Sequence, residues 1–175
     1  MPGRDGTRSE VKSFLVIFAV AANLTLADAV VKELAAARLK DAAPVAVVPG
    51  FFDLAYVENR GCAWGMLQGR VWPLAAFGAA ALVFLVWKRR AVFGPTPRDT
   101  AWRRVCLRAA EPLLYAGIIG NVIDRICRGY VIDMFDFHWG PHHFPCFNVA
   151  DSLICVSVGL ILLTSLCPNC QRRNR

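Results

Sequence analysis

Four apolar stretches limit what this chain can fold into. A segment needs about 20 predominantly apolar residues to cross a bilayer. The stretches cover about residues 14–31, 71–87, 105–123 and 149–167. Hydrophobic residues make up 56% of the 175, and 19% are charged, whereas about 25% is typical of soluble domains. The pattern predicts an all-α membrane protein with four transmembrane helices, forming one domain over residues 1–175.

Basic residues collect on one side of this four-span arrangement. Cytoplasmic loops carry an excess of Lys and Arg, so both termini are predicted to face the cytoplasm. The first stretch is expected to be a retained span, since no small-residue cleavage site precedes a soluble domain. Thirteen of the 20 basic residues lie on the predicted cytoplasmic side: Arg4, Arg8, Lys12, Lys88, Arg89, Arg90, Arg98, Arg103, Arg104, Arg108, Arg172, Arg173 and Arg175.

The net charge of +7 follows from this asymmetry and favours contact with anionic lipid. Nucleic-acid binding is not expected, because the Arg-rich loop lacks base-reading or stacking elements.

Two outward segments have contents that are unusual for simple loops. Residues 44–70 are rich in β-branched and aromatic residues, which predicts a small extramembrane sheet with a turn at 49–50 and a break at 59–61. Residues 124–148 contain several Gly and Pro residues, so this segment cannot be one helix. We interpret it as a loop.

Polar residues cluster at the outward ends of the predicted helices. Ionisable groups at the edges of spans are costly and usually indicate function. Structural roles are the alternative for each of them. Asp28 and Lys32 could form a surface ion pair at i, i+4, and Asn148 with Asp151 could form a capping box. The set comprises Asp28, Asn121, Asp124, Arg125, Asp133, Asn148 and Asp151.

Two facing carboxylates are the chemistry that this set supports best. Like charges a few ångströms apart cannot both ionise cheaply, so such a pair holds one proton. The ionised member can then take a proton from water while its partner protonates the substrate carbonyl. Because Asp151 lies in the first turn of its helix, we hypothesise that it is the base and that Asp133 carries the proton. Asp124, beside Arg125, is assigned a supporting role. No metal or cofactor is needed.

Other functions stay open at this stage. One is a zinc site built from a carboxylate and the histidines His138, His142 and His143. Cys167 and Cys170 also have metal-ligand spacing, but no second pair exists. Another is a proton or cation transporter or channel that uses the outer acidic cluster. The apolar inner halves of the first, second and fourth stretches count against it. Disulfides are permitted between the cysteines expected outside, Cys62, Cys127 and Cys146.

Five sequence blocks stand in order along the chain: DAVVK (28–32), YVENRGCAWG (56–65), NVIDR (121–125), GYVID (129–133) and FNVADS (147–152). Together they resemble the signature blocks of bacterial lipoprotein signal peptidase (signal peptidase II), a family of aspartic peptidases. The resemblance covers about residues 27–162.

The resemblance implies an intramembrane aspartic endopeptidase of the bacterial cell inner membrane, with its active site on the periplasmic face. Such an enzyme removes signal peptides from diacylglyceryl-modified prolipoproteins, cutting before the lipidated Cys. The expected partners are these substrates, membrane lipids and globomycin-type inhibitors, and the protein is expected to be a monomer without cofactor. Asp133 and Asp151 match the catalytic aspartates. Substrate-binding or supporting positions are matched by Asn59, Gly61, Asn121, Asp124, Arg125, Asn148, Asp28 and Lys32. The segment before Asn59 resembles the family's β-rich cradle over the active site.

Overall fold

A computed structural model describes residues 4–94, 96 and 99–166 of the chain. Arg98, Arg172, Arg173, Arg175 and the Cys167–Cys170 pair lie outside the described residues. The elements, in chain order, are α1 (Arg4–Leu39), β1 (Val45–Val48), β2 (Phe52–Asn59), a 3₁₀ turn (Ala63–Gly65), α2 (Val71–Trp87), α3 (Arg89–Phe93), α4 (Ala101–Arg128), β3 (Val131–Trp139), β4 (His142–His143) and α5 (Val149–Leu166).

Among the described residues, three helices are long and apolar enough to cross a membrane: α1 from Val11 onward, α4 and α5. α2 is also apolar but has 17 residues. At 1.5 Å per residue it is about 26 Å long, slightly less than the hydrocarbon core of a typical bilayer.

α1 and α4 extend beyond the predicted 14–31 and 105–123. Their predicted C-terminal ends directly precede the polar residues Lys32 and Asp124. The polar residues instead lie inside the protein, where Asp28 and Lys32 are each 1% exposed and Asp124 is 4% exposed. Because these side chains contact protein rather than lipid, they do not stop the helices.

The small sheet is antiparallel, with the strand order β1-β2-β3-β4. Its first half agrees with the predicted sheet in 44–70. Its second half corrects the interpretation of 124–148 as a loop, because β3 lies there and pairs with β2 in a register that sets Val57 opposite Asp133. The alternation expected of a strand is absent from β3, since the four residues from Val131 to Met134 are all buried. A fully buried strand does not show period-2 patterning.

α4 occupies the centre of the helical part and packs against α1, α2 and α5. Two glycines allow this approach. A Cβ at Gly117 would overlap the Ala150 carbonyl oxygen, and one at Gly120 would lie 2.6 Å from an Asp28 carboxylate oxygen. Small residues at such interfaces let helix backbones come close. The sequence therefore brings α1 and the start of α5 together on the same part of α4.

Glu111, a charged residue within the third apolar stretch, forms an internal ion pair with Arg89. Glu111 is 2% exposed and accepts hydrogen bonds from Arg89 of α3 and, at 3.2 Å, from the hydroxyl of Tyr115. The Tyr115 ring also packs edge-on against Phe93. Because Glu111 is fully partnered within the protein, it does not prevent α4 from continuing through this region.

Candidate active site

The two candidate aspartates lie on different elements that meet beside α4. Asp133 is the third residue of β3 and is 2% exposed. Asp151 is the third residue of α5 and is half-buried. The prediction that Asp133 lies in a loop was wrong, because its strand pairs with β2 on one side. The sheet therefore fixes the position of one carboxylate and a helix start fixes the other.

Asn148, just before α5, joins the two aspartates. Its side-chain amide donates to Oδ1 of Asp133 at 2.7 Å, while its side-chain oxygen accepts from the backbone N–H of Asp151 at 2.9 Å. In return, Oδ2 of Asp151 accepts from the backbone N–H of Asn148 at 3.4 Å. This reciprocal pair confirms the predicted capping box. The same side chain thus caps the helix and holds Asp133.

Two further asparagines surround the carboxylates. Asn59, at the end of β2, donates to Oδ2 of Asp133 at 2.9 Å. Asn121, on α4, donates to Oδ1 of Asp151 at 2.7 Å and accepts from the amide of Asn148 at 3.2 Å. The three side chains come from three separate elements. They converge because β2 pairs with β3 while α4 packs against α5.

The surroundings of Asp133 favour its protonated form. Burial raises the pKa of the Asp133 carboxyl to about 7, and the negative charge of Asp151 adds to the rise. The hydrogen bonds from Asn59 and Asn148 lower the pKa of this carboxyl, as does the positive charge of Lys32, but burial dominates. One carboxyl of the pair can therefore hold a proton near neutral pH.

Arg125 ties the turn after β2 to α4. Its guanidinium donates to the carbonyl oxygen of Gly61 at 3.0 Å and to that of Asn121, one helical turn earlier, at 3.2 Å. The backbone N–H of Gly61 in turn donates to the side chain of Asn59 at 2.9 Å. Arg125 therefore supports Asn59 through the backbone of Gly61, and it also lines the cavity described below.

Asp28, Lys32 and Asp124 form a buried ion cluster behind the aspartates, called the Lys32 cluster here. The ammonium of Lys32 lies 2.8 Å from Oδ2 of Asp28 and 2.8 Å from Oδ2 of Asp124. Asp124 also contacts Arg128 at 3.0 Å, so its partner is not the adjacent Arg125. The alternative of a surface ion pair between Asp28 and Lys32 is wrong, because neither side chain reaches solvent.

Asp133 and Asp151 open into one cavity of about 500 Å³. Of the predicted site residues, Asn59, Asn121 and Arg125 also line it, whereas the Lys32 cluster lies behind the wall. The remaining residues of the lining, most of them apolar or thiol-bearing, were not among the predicted site residues: Cys62, Ala63, Trp64, Val131, Phe144, Pro145, Cys146, Phe147, Ser152, Ile154, Cys155 and Val156. Six of them lie within the YVENRGCAWG, GYVID and FNVADS blocks, and the other six flank FNVADS, which is the only sequence signal that they carry.

The histidines are engaged elsewhere, on β3 and β4. Nδ1 of His143 lies 2.9 Å from Asp136, and Nε2 of His138 lies 3.3 Å from Asp53. Within the described part of the chain, no three or more His, Cys, Asp or Glu side chains are grouped to hold a metal ion. The zinc alternative therefore finds no ligand group there. The described cysteines are all free thiols: Cys62, Cys106, Cys127, Cys146 and Cys155.

Comparison with known proteins identifies relatives over most of the chain. Residues 20–167 match the family model described as signal peptidase (SPase) II. The lipoprotein signal peptidase of Syntrophotalea carbinolica is 39% identical over 157 residues, covering 88% of this chain and 92% of the relative. That of Symbiobacterium thermophilum is 38% identical over 148 residues, covering 85% and 91%.

Solved structures with the same fold are also available. A bacterial membrane enzyme solved by the in meso method at 2.3 Å superposes with a TM-score of 0.73 at 28% identity, covering 91% of this chain and 93% of that one. A second one, at 1.9 Å, gives a TM-score of 0.68 at 29% identity, covering 87% and 94%. The likeness therefore extends over about nine-tenths of the chain.

Proposed function

The chain belongs to the signal peptidase II family, and we propose that Asp133 and Asp151 are its catalytic pair. As a member of this family it is an aspartic-type peptidase of the membrane that removes signal peptides from prolipoproteins. The alternative of a transporter or channel is not supported. One observation carries the assignment: the two carboxylates open into one cavity and are joined through the side chain of Asn148.

The first step of the proposed reaction is the addition of water. The Asp151 carboxylate takes a proton from water, whose oxygen bonds to the carbonyl carbon of the scissile peptide. Asp133 gives its proton to the carbonyl oxygen, so a neutral diol forms. Each carboxyl oxygen of Asp133 accepts a hydrogen bond from an Asn side chain. The protonated oxygen keeps a lone pair, so it can still accept its hydrogen bond.

The second step breaks the peptide bond. Asp151 returns its proton to the amide nitrogen, and Asp133 takes a proton from one diol hydroxyl as the carbonyl re-forms. The C–N bond breaks, and the enzyme recovers its starting protonation state. The hydrogen bond from Asn121 holds Asp151 in place through both steps. Because the donor is uncharged, it stabilises the Asp151 carboxylate without neutralising its charge.

The substrate that we propose is a prolipoprotein whose cysteine carries a diacylglyceryl group, with cleavage just before that cysteine. The cavity wall on the α5 side is apolar at Ile154 and Val156, directly beyond the catalytic helix turn. Exposed apolar side chains cover the outer surfaces of α1, α2 and α5. A lipid-anchored peptide can therefore reach the carboxylates without leaving the bilayer. The asparagine-lined end accommodates its polar backbone.

We further propose four membrane spans, with α2 as the shortest, both termini in the cytoplasm and the site at the periplasmic face of the inner membrane. The excess of basic residues in the first turns of α1 and around α3 favours this orientation. The sheet contains backbone that is not helical, which is tolerated at membrane depth only where protein or water covers it. A monomer sensitive to globomycin-type inhibitors completes the proposal.

Cleavage assays with purified protein test the catalytic pair. The substrate is a diacylglyceryl-modified prolipoprotein in detergent micelles, and the released signal peptide is measured. Asp133→Asn and Asp151→Asn should each lower kcat by at least about 10³-fold. Asp136→Asn is the matched control, since this carboxylate lies on the same strand but outside the cavity, and it should keep normal activity.

Normal activity of either variant in the catalytic pair would refute the assignment. Loss of wild-type activity on addition of a chelator, with both variants still active, would instead favour a metal-dependent peptidase.

A further inference from the structure

Lys32 is the most deeply buried cation of the described residues, and it lies directly behind the carboxylates. It is 1% exposed and makes three polar contacts. Two are to Asp28 and Asp124 of the Lys32 cluster, at 2.8 Å each. The third is to Oδ1 of Asn121 at 3.2 Å. The contacts with Asp28 and Asp124 would suffice to stabilise a buried lysine by ion pairing. The contact with Asn121 therefore requires a separate explanation.

The third contact determines how Asn121 is oriented. An ammonium group can only donate hydrogen bonds, so the Asn121 atom facing it must be the side-chain oxygen. The amide of Asn148 also donates to this oxygen. The NH₂ group of Asn121 is therefore directed away from Lys32 and toward Oδ1 of Asp151, which it reaches at 2.7 Å. A flipped amide would set its NH₂ group against two donors.

A second contact links the same cluster to Asp151 through the backbone. Oδ1 of Asp28 accepts from the N–H of Ala150 at 2.8 Å, while Oδ2 of Asp28 binds Lys32. Ala150 immediately precedes Asp151 and is fully buried. Lys32 therefore holds Asp28 in the position from which it anchors the first turn of α5.

We propose that Lys32 is a positioning residue for the peptidase reaction: it fixes the amide of Asn121 and, with Asp28, the first turn of α5, so that the carboxylate of Asp151 is held toward the cavity. The proposal rests on the catalytic roles assigned above to Asp151 and Asp133. Lys32 itself does not line the cavity. It acts through its neighbours and not on the substrate.

The charge of Lys32 also provides a specific signal. Its positive charge lowers the pKa of the Asp133 carboxyl, against the effects of burial and of Asp151. Removing that charge should raise this pKa further. Because Asp133 must be protonated to act as the acid, activity falls as the pH rises through its pKa. The alkaline limb of the activity profile should therefore move to higher pH in a variant that lacks the charge.

The experiment compares purified full-length variants in the cleavage assay, with kcat, KM and the pH profile measured on folded protein. Lys32→Met should lower kcat by about 10- to 100-fold, as expected for a misplaced catalytic group, and change KM little. Its alkaline limb should move upward. In an Asn121→Ala background the same substitution should cost much less, because the amide that Lys32 orients is already absent.

The matched control is Arg128→Gln, which removes a cation that contacts Asp124 but not Asn121. It should lower the thermal midpoint and leave kcat and the pH profile unchanged. Lys32→Met/Asp124→Asn removes one positive and one negative charge from the Lys32 cluster. It provides a folded test if the single variant is unstable, and its kcat should fall to the same extent.

Wild-type kcat and an unmoved alkaline limb, in either Lys32 variant, would overturn the proposal even if the thermal midpoint fell. That result would assign Lys32 to stability alone. It is distinct from a failure of the catalytic assignment, which would appear as normal activity in Asp133→Asn or Asp151→Asn.

Discussion

Replacing Asn148 with serine and with alanine separates the two roles of its side chain. Asn148 is fully buried and makes three side-chain hydrogen bonds: to Asp133, to Asn121 and from the backbone N–H of Asp151. At about 0.5–1.5 kcal/mol each, their loss in Asn148→Ala should lower the free energy of unfolding by about 2–4 kcal/mol. Serine can still accept from the helix N–H, so Asn148→Ser should recover about 1 kcal/mol of this.

Activity should not recover with stability. Neither replacement supplies the amide that reaches Asp133, so both variants should lose about 100-fold in kcat. The amide lowers the pKa of Asp133, so its removal should also move the alkaline limb of the activity profile to higher pH in both. Thermal unfolding and the cleavage assay on the same preparations measure the two effects. For a chain of this length, 1 kcal/mol corresponds to about 2–4 °C.

Serine restoring kcat together with the thermal midpoint would refute the argument, because the cap alone would then explain the residue. Asn23→Ala is a suitable control, since its exposed amide only donates to a carbonyl one helical turn earlier in α1. It should change neither quantity appreciably.

Three further predictions concern the wild-type site and its packing. The kcat/KM of the wild-type enzyme should fall as the pH rises through about 7, the pKa of Asp133 in the free enzyme. A flat alkaline profile in the cleavage assay would contradict the role of Asp133 as the acid. Alkylation of Cys155, an exposed thiol of the cavity, with a bulky maleimide should block cleavage. The maleimide should inactivate Cys155→Ala markedly more slowly than the wild type. Equal inactivation rates would show that alkylation of Cys155 does not cause the loss of activity. Gly120→Ala should lower the free energy of unfolding by about 1–3 kcal/mol, because its Cβ would press on Asp28. Gly159→Ala, where a Cβ meets open space, should instead be neutral or stabilising, and equal losses in denaturation assays would contradict the packing argument.

The helical part of the fold was predictable because the apolar residues of each stretch contribute independently to its mean hydropathy. A run of apolar residues indicates a helix in lipid whatever its partners are, and the residues 71–87 coincide with α2. The helix ends were less predictable, because a polar residue stops a helix in lipid but not inside protein. Asp28 and Lys32 bind each other and α4, so α1 continues to Leu39.

The sheet was only half predictable, for a related reason. β2 shows partial burial along its length, and its composition of aromatic and β-branched residues identified it. β3 contains Asp133 and Asp136, and aspartate is a poor strand residue on average. Their strand conformation depends on pairing with β2, a contact between segments more than 70 residues apart. The residues of β3 alone carry no sign of such a partner.

The candidate residues, by contrast, could be named from sequence, while their contacts could not. Ordered blocks identified Asp133, Asp151 and the asparagines. Nothing in the blocks indicates that Lys32 contacts Asn121, or that Asp28 reaches the backbone of Ala150 on another helix. These contacts depend on the close approach at Gly120, which is a property of three helices together.

The structural and functional interpretations of these polar residues prove to be compatible. The first turn of α5 has backbone N–H groups without helical partners, and an unsatisfied one at membrane depth costs several kcal/mol. Asp28 accepts from the N–H of Ala150, and Asn148 accepts from that of Asp151. A helix that begins beside a cavity thus requires polar acceptors of this kind, and the same side chains position a carboxylate. A substitution at either acceptor should therefore affect stability and kcat together, and only variants such as Asn148→Ser, which restore one function alone, can separate them.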